Sequence, residues 1–130
     1  MGKVVKAKEI SVKMKNEPGA GAAIFAALAG AKVNLISACG WGQGEEAVMM
    51  LVCADYAKAK QALKIAKFKS TSADVLLVDL NNKAGAMAAV TEKLAAKNIN
   101  VNYAYATTSG KNAMAVFRIA GPAKAIKALS

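Results

Sequence analysis

The apolar positions of this chain change their spacing several times, and they do so in the same order twice. The stretch "KEISVKMK" (8–15) is rich in β-branched and aliphatic residues and reads as a strand. After a bend at Gly19 comes a helical pattern, with Ile24 and Leu28 four residues apart. "VNLISACGW" (33–41) and "AVMMLVCA" (47–54) then read as the two strands of a hairpin, joined by the turn-rich "GQGEE". Asp55 is placed to cap a second helix, "YAKAKQALKIA". "KFKSTSADVLLVDL" follows as a strand that runs directly into a second round. In that round the helix carries Met87, Val90 and Leu94 on one face, with Thr91, Glu92, Lys93 and Lys97 on the wet face. "INVNYAYAT" and "AMAVFRIA" form its hairpin around "TSGKN". Pro122 suits the first turn of the closing helix "AKAIKAL".

One constant offset relates the two rounds. Gly19 and Gly85 are 66 residues apart, as are Asn16 and Asn82, Leu28 and Leu94, Asn34 and Asn100, Gly44 and Gly110, and Leu63 and Leu129. No gap interrupts the series, which marks two copies of one structural unit. The unit reads β-α-β-β-α-β, the ferredoxin-like order of an α+β fold, with an antiparallel sheet and both helices on one face. The expected domains are 1–72 and 73–130. The second unit reaches Ser130 without a closing strand, so its open edge needs covering. The N-terminal "GKVV" and a second chain are the two candidates.

Composition narrows the function. With 55% hydrophobic and 20% charged residues, the 130-residue chain has the makeup of a folded protein. Much of the apolar content is alanine, so the core is expected to be thin and close-packed. The net charge is +10, and Arg118 is the only arginine. A lysine excess attracts nucleic acid, anionic surfaces or acidic small molecules, and equally describes a solvated lysine-rich surface. Specific phosphate recognition usually enlists arginine forks. Histidine is absent, which removes the commonest general base and metal ligand. Cys39 and Cys53 are too few for a disulfide framework and fit as small core residues. With the turn centred on Gln43–Gly44, Cys39 falls opposite Val48 or Met49, and Cys53 falls near Asn34. Glu45 and Glu46 sit in the turn, and no paired carboxylates or triad emerge. The N-terminus lacks a signal-peptide core, and Lys6 breaks a myristoylation pattern. The uncharged helical run 19–31 is too short to span a bilayer. The expectations are no enzyme activity, no metal, no cofactor, no membrane insertion and a cytoplasmic setting.

The most suggestive local feature is "NEPGAGAAIF" (16–25). Gly19 and Gly21 resemble half of a dinucleotide fingerprint. However, Ile24 takes the third glycine's place, no acid follows near Asn34, and Met87 stands where the second copy would repeat Gly21. Only Gly19 and Gly85 belong to the repeated design. Each lies between a strand and a helix, where glycine allows positive φ and the helix presents unpaired N–H groups. Such a terminus holds a carboxylate as readily as a phosphate. Oxygens of Asn16, Asn82, Asn34 and Asn100 could accept from an ammonium group. A carboxylate site with ammonium acceptors has the polarity of a free amino acid. The same asparagines could instead merely cap turns and helix ends.

"NEPGAGAAIFAALAGAKVNLISA" and "NNKAGAMAAVTEKLAAKNINVNYAYA" resemble the hallmark of ACT domains: a strand, N-x-P-G, a helix ending in L-A-x-x-G, then I-N-I opening the next strand. The resemblance spans nearly the whole chain in tandem. It implies a non-enzymatic regulatory module that binds amino acids at interfaces between paired ACT units, set side by side, and that acts on an enzyme of amino-acid metabolism. The implied ligand residues are Asn16, Pro18, Gly19 and Ala20, facing Asn34, Leu35 and Ile36. In the second copy they are Asn82, Ala84, Gly85 and Ala86, facing Asn100, Val101 and Asn102. The chain departs from the hallmark at Ala84, which replaces the proline, and at Lys32 and Asn98, which replace a glycine.

The strands are apolar on both faces, which points to burial of the second face against another sheet or chain and hence to a homodimer or higher homo-oligomer. Two other readings compete. A ligand-free adaptor would use the ACT pair only for subunit contacts. An RNA-binding ferredoxin-like module would need aromatics on its central strands, yet "AVMMLVC" has none and "AMAVFRI" has only Phe117. Lys60, Lys64 and Lys67 share a helix face away from the sheet. Nucleic acid is therefore not the expected partner.

Overall fold

A computed structural model describes residues 2–130. Its element order is β1 (Val4–Lys15), α1 (Ala20–Gly30), β2 (Leu35–Gln43), β3 (Glu46–Cys53), α2 (Tyr56–Ile65), β4 (Ser70–Asn81), α3 (Ala86–Ala96), β5 (Val101–Ser109), β6 (Asn112–Ile119) and α4 (Pro122–Leu129). The chain forms two compact units. The first is Lys8–Ala73. The second is Asp74–Ser130 together with residues 2–7.

In the first unit β3 lies between β2 and β1, antiparallel to both. Ile10 opposes Leu51, and Val12 opposes Met49. These side chains face the helices, where Ile24 and Leu28 of α1 and Ala59 and Leu63 of α2 close one core. Asp55 caps α2 by accepting from Lys58 N–H at 3.0 Å, as a side-chain oxygen at that position should. The hairpin turn is Gly44–Glu45, one residue later than the sequence suggests, so Cys39 pairs with Met50 and Cys53 with Leu35. Gly44, the first turn residue, has φ +61, a conformation that glycine adopts without strain.

The second unit repeats this plan. β6 lies between β5 and β4, both antiparallel, and α3 and α4 cover Leu76, Val78, Phe117 and Ile119. Pro122 occupies the first turn of α4. Its edge is covered by the N-terminal segment. Gly2 N–H donates to Asp79 O at 2.9 Å, and Asp79 N–H donates to Lys3 O at 2.9 Å. Val4 packs on the second core. β1 therefore starts four residues before "KEISVKMK", because its first residues serve the second unit.

Helices α1, α2 and α3 end without a glycine in the left-handed position. After α1, Lys32 N–H donates to Ala29 O and Val33 N–H to Leu28 O, the paired bonds of a Schellman motif. Asn98 and Ile99 repeat them after α3, and Lys67 and Phe68 after α2. The left-handed position, which favours glycine, is filled by Lys32 (φ +58), Asn98 (φ +56) and Lys67 (φ +66).

The sheet face away from the helices is partly covered within the chain itself. By strand alternation, Met50 and Val52 lie on it in the first unit, and Val75, Leu77 and Val116 in the second, and all five are buried. In the second unit Tyr105 opposes Val116 and Tyr103 opposes Arg118, so the outer strand brings large side chains over the middle one. In the first unit the outer strand β2 leaves Leu35 and Ile36 43% exposed and Trp41 50% exposed.

Candidate functional site

The two strand-to-helix loops share their glycine conformation and their hydrogen bonds to the hairpin turn. Gly19 has φ +88 and Gly85 φ +87. Asn16 N–H donates to Glu45 O at 2.8 Å, and Asn82 N–H to Lys111 O at 2.9 Å. The Asn16 amide Nδ2 donates to Gly44 O at 3.0 Å, and that of Asn82 to Gly110 O at 2.9 Å. Both asparagines thus fasten the loop to the neighbouring hairpin turn. A Cβ at Gly42 would come within 2.5 Å of the Asn16 amide. In the second copy that position is Thr108, and Asn82 keeps its bond to the turn.

Neither α1 nor α3 has a side-chain cap or an acidic residue in its first turn. The first intrahelical bonds are Ala23 N–H to Gly19 O and Ala89 N–H to Gly85 O. Ala20 and Ala86 reach back to the carbonyls of Glu17 and Lys83. The N–H groups of Gly21 and Ala22, and of Met87 and Ala88, come before the first α-helical acceptor and point out of the helix end. They carry its positive dipole end.

Each helix start opens on a hollow. The first, about 420 Å³, is lined by Pro18, Gly19 and Ala20 with Lys13, Lys15, Glu17 and Phe68. The second, about 350 Å³, is lined by Ala84, Gly85 and Ala86 with Lys83 and Lys93. The charge at one equivalent position is reversed, Glu17 against Lys83. The second hollow therefore has two lysines and no carboxylate, and is the more favourable for an anion despite Ala84.

The remaining site candidates lie elsewhere. Asn34 sits at the far end of β2, where its carbonyl accepts from Ala54 N–H at 2.9 Å. Asn16 is fastened to Gly44, beyond the other end of the same strand. Nine strand residues separate those ends, roughly 30 Å at 3.3 Å per residue. Gly19 and the start of β2 are likewise at opposite ends of α1. One unit cannot bring Asn16 and Asn34 onto one small ligand. Asn34, Leu35 and Ile36 form an exposed patch of their own. In the second copy Asn100 and Asn102 are exposed while Val101 packs on the core, and Asn100 Nδ2 donates to Asn102 Oδ1 at 3.1 Å. Both segments lie at a bulge, between Leu35 and Ser37 and between Val101 and Tyr103. The lining lysines and Phe68 were not legible as site residues, because nothing in their local sequence separates them from the general lysine excess.

The other chemistry is sparse. Among the described residues no group of three or more His, Cys, Asp or Glu could hold a metal. Burial pushes the Cys53 thiol above its ordinary pKa, so it stays protonated and unreactive. No helix of the described residues is long and apolar enough to cross a membrane.

The model of the ACT domain pair matches residues 5–129, almost the whole chain. The chain belongs to the ACT domain pair family. Solved structures agree with that assignment. A protein of Bacteroides thetaiotaomicron is 27% identical and superimposes with a TM-score of 0.90, covering 97% of this chain and 88% of the other. The regulatory subunit of aspartate kinase from Thermus thermophilus, in its ligand-free form, shares 16% identity at a TM-score of 0.72, covering 97% and 93%. That from Thermus flavus shares 18% at 0.62, covering 97% and 94%. At these identities the kinase subunits show a common fold. No curated protein matches the chain.

Proposed function

We propose that this ACT pair is a non-enzymatic regulator that binds a free amino acid where ACT units of two copies of the chain meet. It acts in the cytoplasm on an enzyme of amino-acid metabolism. The observation that carries the proposal is the pair of uncapped helix starts, each behind a glycine at positive φ and each opening on a hollow. The ligand's carboxylate accepts from Gly21 and Ala22 N–H, or from Met87 and Ala88. Its ammonium donates to the side-chain oxygen of Asn34 or Asn100 of another ACT unit, because the Asn34 and Asn100 of the same unit lie at the far ends of β2 and β5. Ligand that bridges two copies stabilises that assembly over the free chain.

A thermal-shift screen across the amino acids tests this. A ligand at one hundred times its Kd stabilises by about 2.7 kcal/mol. A stereospecific response to one or two amino acids is expected. Gly19→Asp and Gly85→Asp, which add a carboxylate at the anion position, should abolish it, while the αL-tolerant neutral Gly19→Asn and Gly85→Asn should retain most of it. A flat response across the set, with self-association intact, overturns the sensor in favour of the adaptor. The exposed Leu35, Ile36 and Trp41 on β2 are what favours that second reading.

A further inference from the structure

The first unit holds a third hollow, which adjoins the first and shares Lys13 and Phe68 with it. It measures about 510 Å³, within the range of small-molecule sites. Ser11, Lys13 and Val48 of the sheet form one side, and the connection from α2 to β4 forms the other. We propose that this crevice is a second site that binds a small phosphorylated polyanion.

Three observations carry the assignment. First, the lining has three ammonium groups, Lys13, Lys67 and Lys69, and three hydroxyls, Ser11, Ser70 and Thr71, with no carboxylate among them. A fourth ammonium stands behind the wall. Lys60 Nζ donates to Ser70 Oγ at 2.8 Å and to Ser70 O at 3.4 Å, so the hydroxyl is held in place by a cation. Second, Lys67 occupies the left-handed position that ends α2, at φ +66. Glycine or asparagine would sit there with less strain, so helix termination does not by itself call for a lysine. Third, the crevice is not part of the repeated unit. Sixty-six residues on, Ser11, Lys13 and Lys60 become Leu77, Asp79 and Ile126. The second unit folds on the same plan without them.

The charge balance selects the ligand class. Three lysines around one hollow repel one another, and a ligand carrying two or more negative charges neutralises them. A free amino acid is a zwitterion with no net charge, so it would leave the three lysines unneutralised. Lysine binds phosphate as a point charge, and hydroxyls donate to the remaining oxygens. The site is solvent-open, so affinity should fall as salt rises.

The test is a titration of the full chain with pyrophosphate at low ionic strength, by calorimetry and by amide chemical shifts. Saturable one-to-one binding is expected, with shifts concentrated in 67–71 and 11–13. Lys67→Gln with Lys69→Gln should weaken it by about 10-fold or more, and Lys97→Gln with Lys124→Gln, which removes the same charge from the second unit, should change it by less than about 2-fold. Lys67→Gly separates a binding role from a structural one. It should raise the melting temperature while lowering pyrophosphate affinity, and a raised melting temperature with unchanged affinity overturns the role of Lys67. ADP compared with pyrophosphate distinguishes a nucleotide from a bare phosphate ligand, and binding of either supports the site. Failure to saturate, or equal loss in both lysine pairs, overturns it. So does tighter binding of single-stranded RNA competing for the same lysines. The Lys67/Lys69 variant lies outside the amino-acid hollows, so its amino-acid response should persist and the two proposals fail separately.

Discussion

Lys32→Gly should make the protein more stable. Lys32 ends α1 at φ +58, and its N–H donates to Ala29 O at 2.9 Å. Next to it Val33 donates to Leu28 O, and both side chains belong to the first core. The packing therefore holds the lysine in a conformation that costs an L-residue roughly 1–2 kcal/mol. Glycine removes that cost but gives the unfolded chain back roughly 0.4–1 kcal/mol of conformational freedom. The net gain is about 0.5–1 kcal/mol. At about 2.1 cal/mol/K per residue, 130 residues give an unfolding entropy near 270 cal/mol/K, so the midpoint should rise by about 2–4 °C. Calorimetry and urea unfolding would read it. Losing one cation from a chain of net charge +10 could also stabilise, so Lys32→Ala is the control. Alanine keeps the strained φ and should give little or none of the gain. Asn98→Gly should gain less than Lys32→Gly, because asparagine tolerates the left-handed region. An unchanged midpoint for Lys32→Gly would refute the strain argument, and an equal gain for Lys32→Ala would assign it to charge.

Three further outcomes follow from the same geometry. Asn82→Ala removes the bond to the Gly110 carbonyl and should cost about 0.5–1.5 kcal/mol in urea unfolding, with Asn16→Ala similar through Gly44; no loss in either would make these bonds incidental. Deleting residues 2–5 exposes the edge that Asp79 presents, and should lower stability and promote association at that edge; an unaltered melting curve and a monodisperse product would contradict this. Thiol labelling near pH 8 should modify Cys39 well before Cys53, whose pKa is raised by burial. Because the folded thiol holds its proton more tightly than the unfolded one, stability from this group is present below the unfolded pKa and declines as pH rises above it; equal labelling rates would contradict the burial.

How much of this was legible in the sequence depends on how local the cause is. The 66-residue offset determined the element order and the paired glycines, and Asp55 by itself marked the N-cap of α2, because turns and caps are set by the few residues that form them. It also predicted positive φ at Gly19 and Gly85 and showed Gly21 to be incidental. Lys32 stood out only as a departure from a family pattern. The structure shows why it is tolerated: two backbone bonds and the Leu28–Val33 contact outweigh the strain. Other features required the tertiary structure. The family resemblance grouped Asn16 with Asn34 as one ligand site, but within a unit β2 separates them, with Asn34 before its start and Asn16 fastened to Gly44 beyond its end. The edge of the second unit is covered by residues from the start of the chain, a pairing that no local pattern encodes. The basic crevice gathers Ser11, Lys13 and residues 67–71, more than fifty positions apart. In the sequence those lysines belong to an undifferentiated excess, and only the fold decides which of them share one electrostatic field.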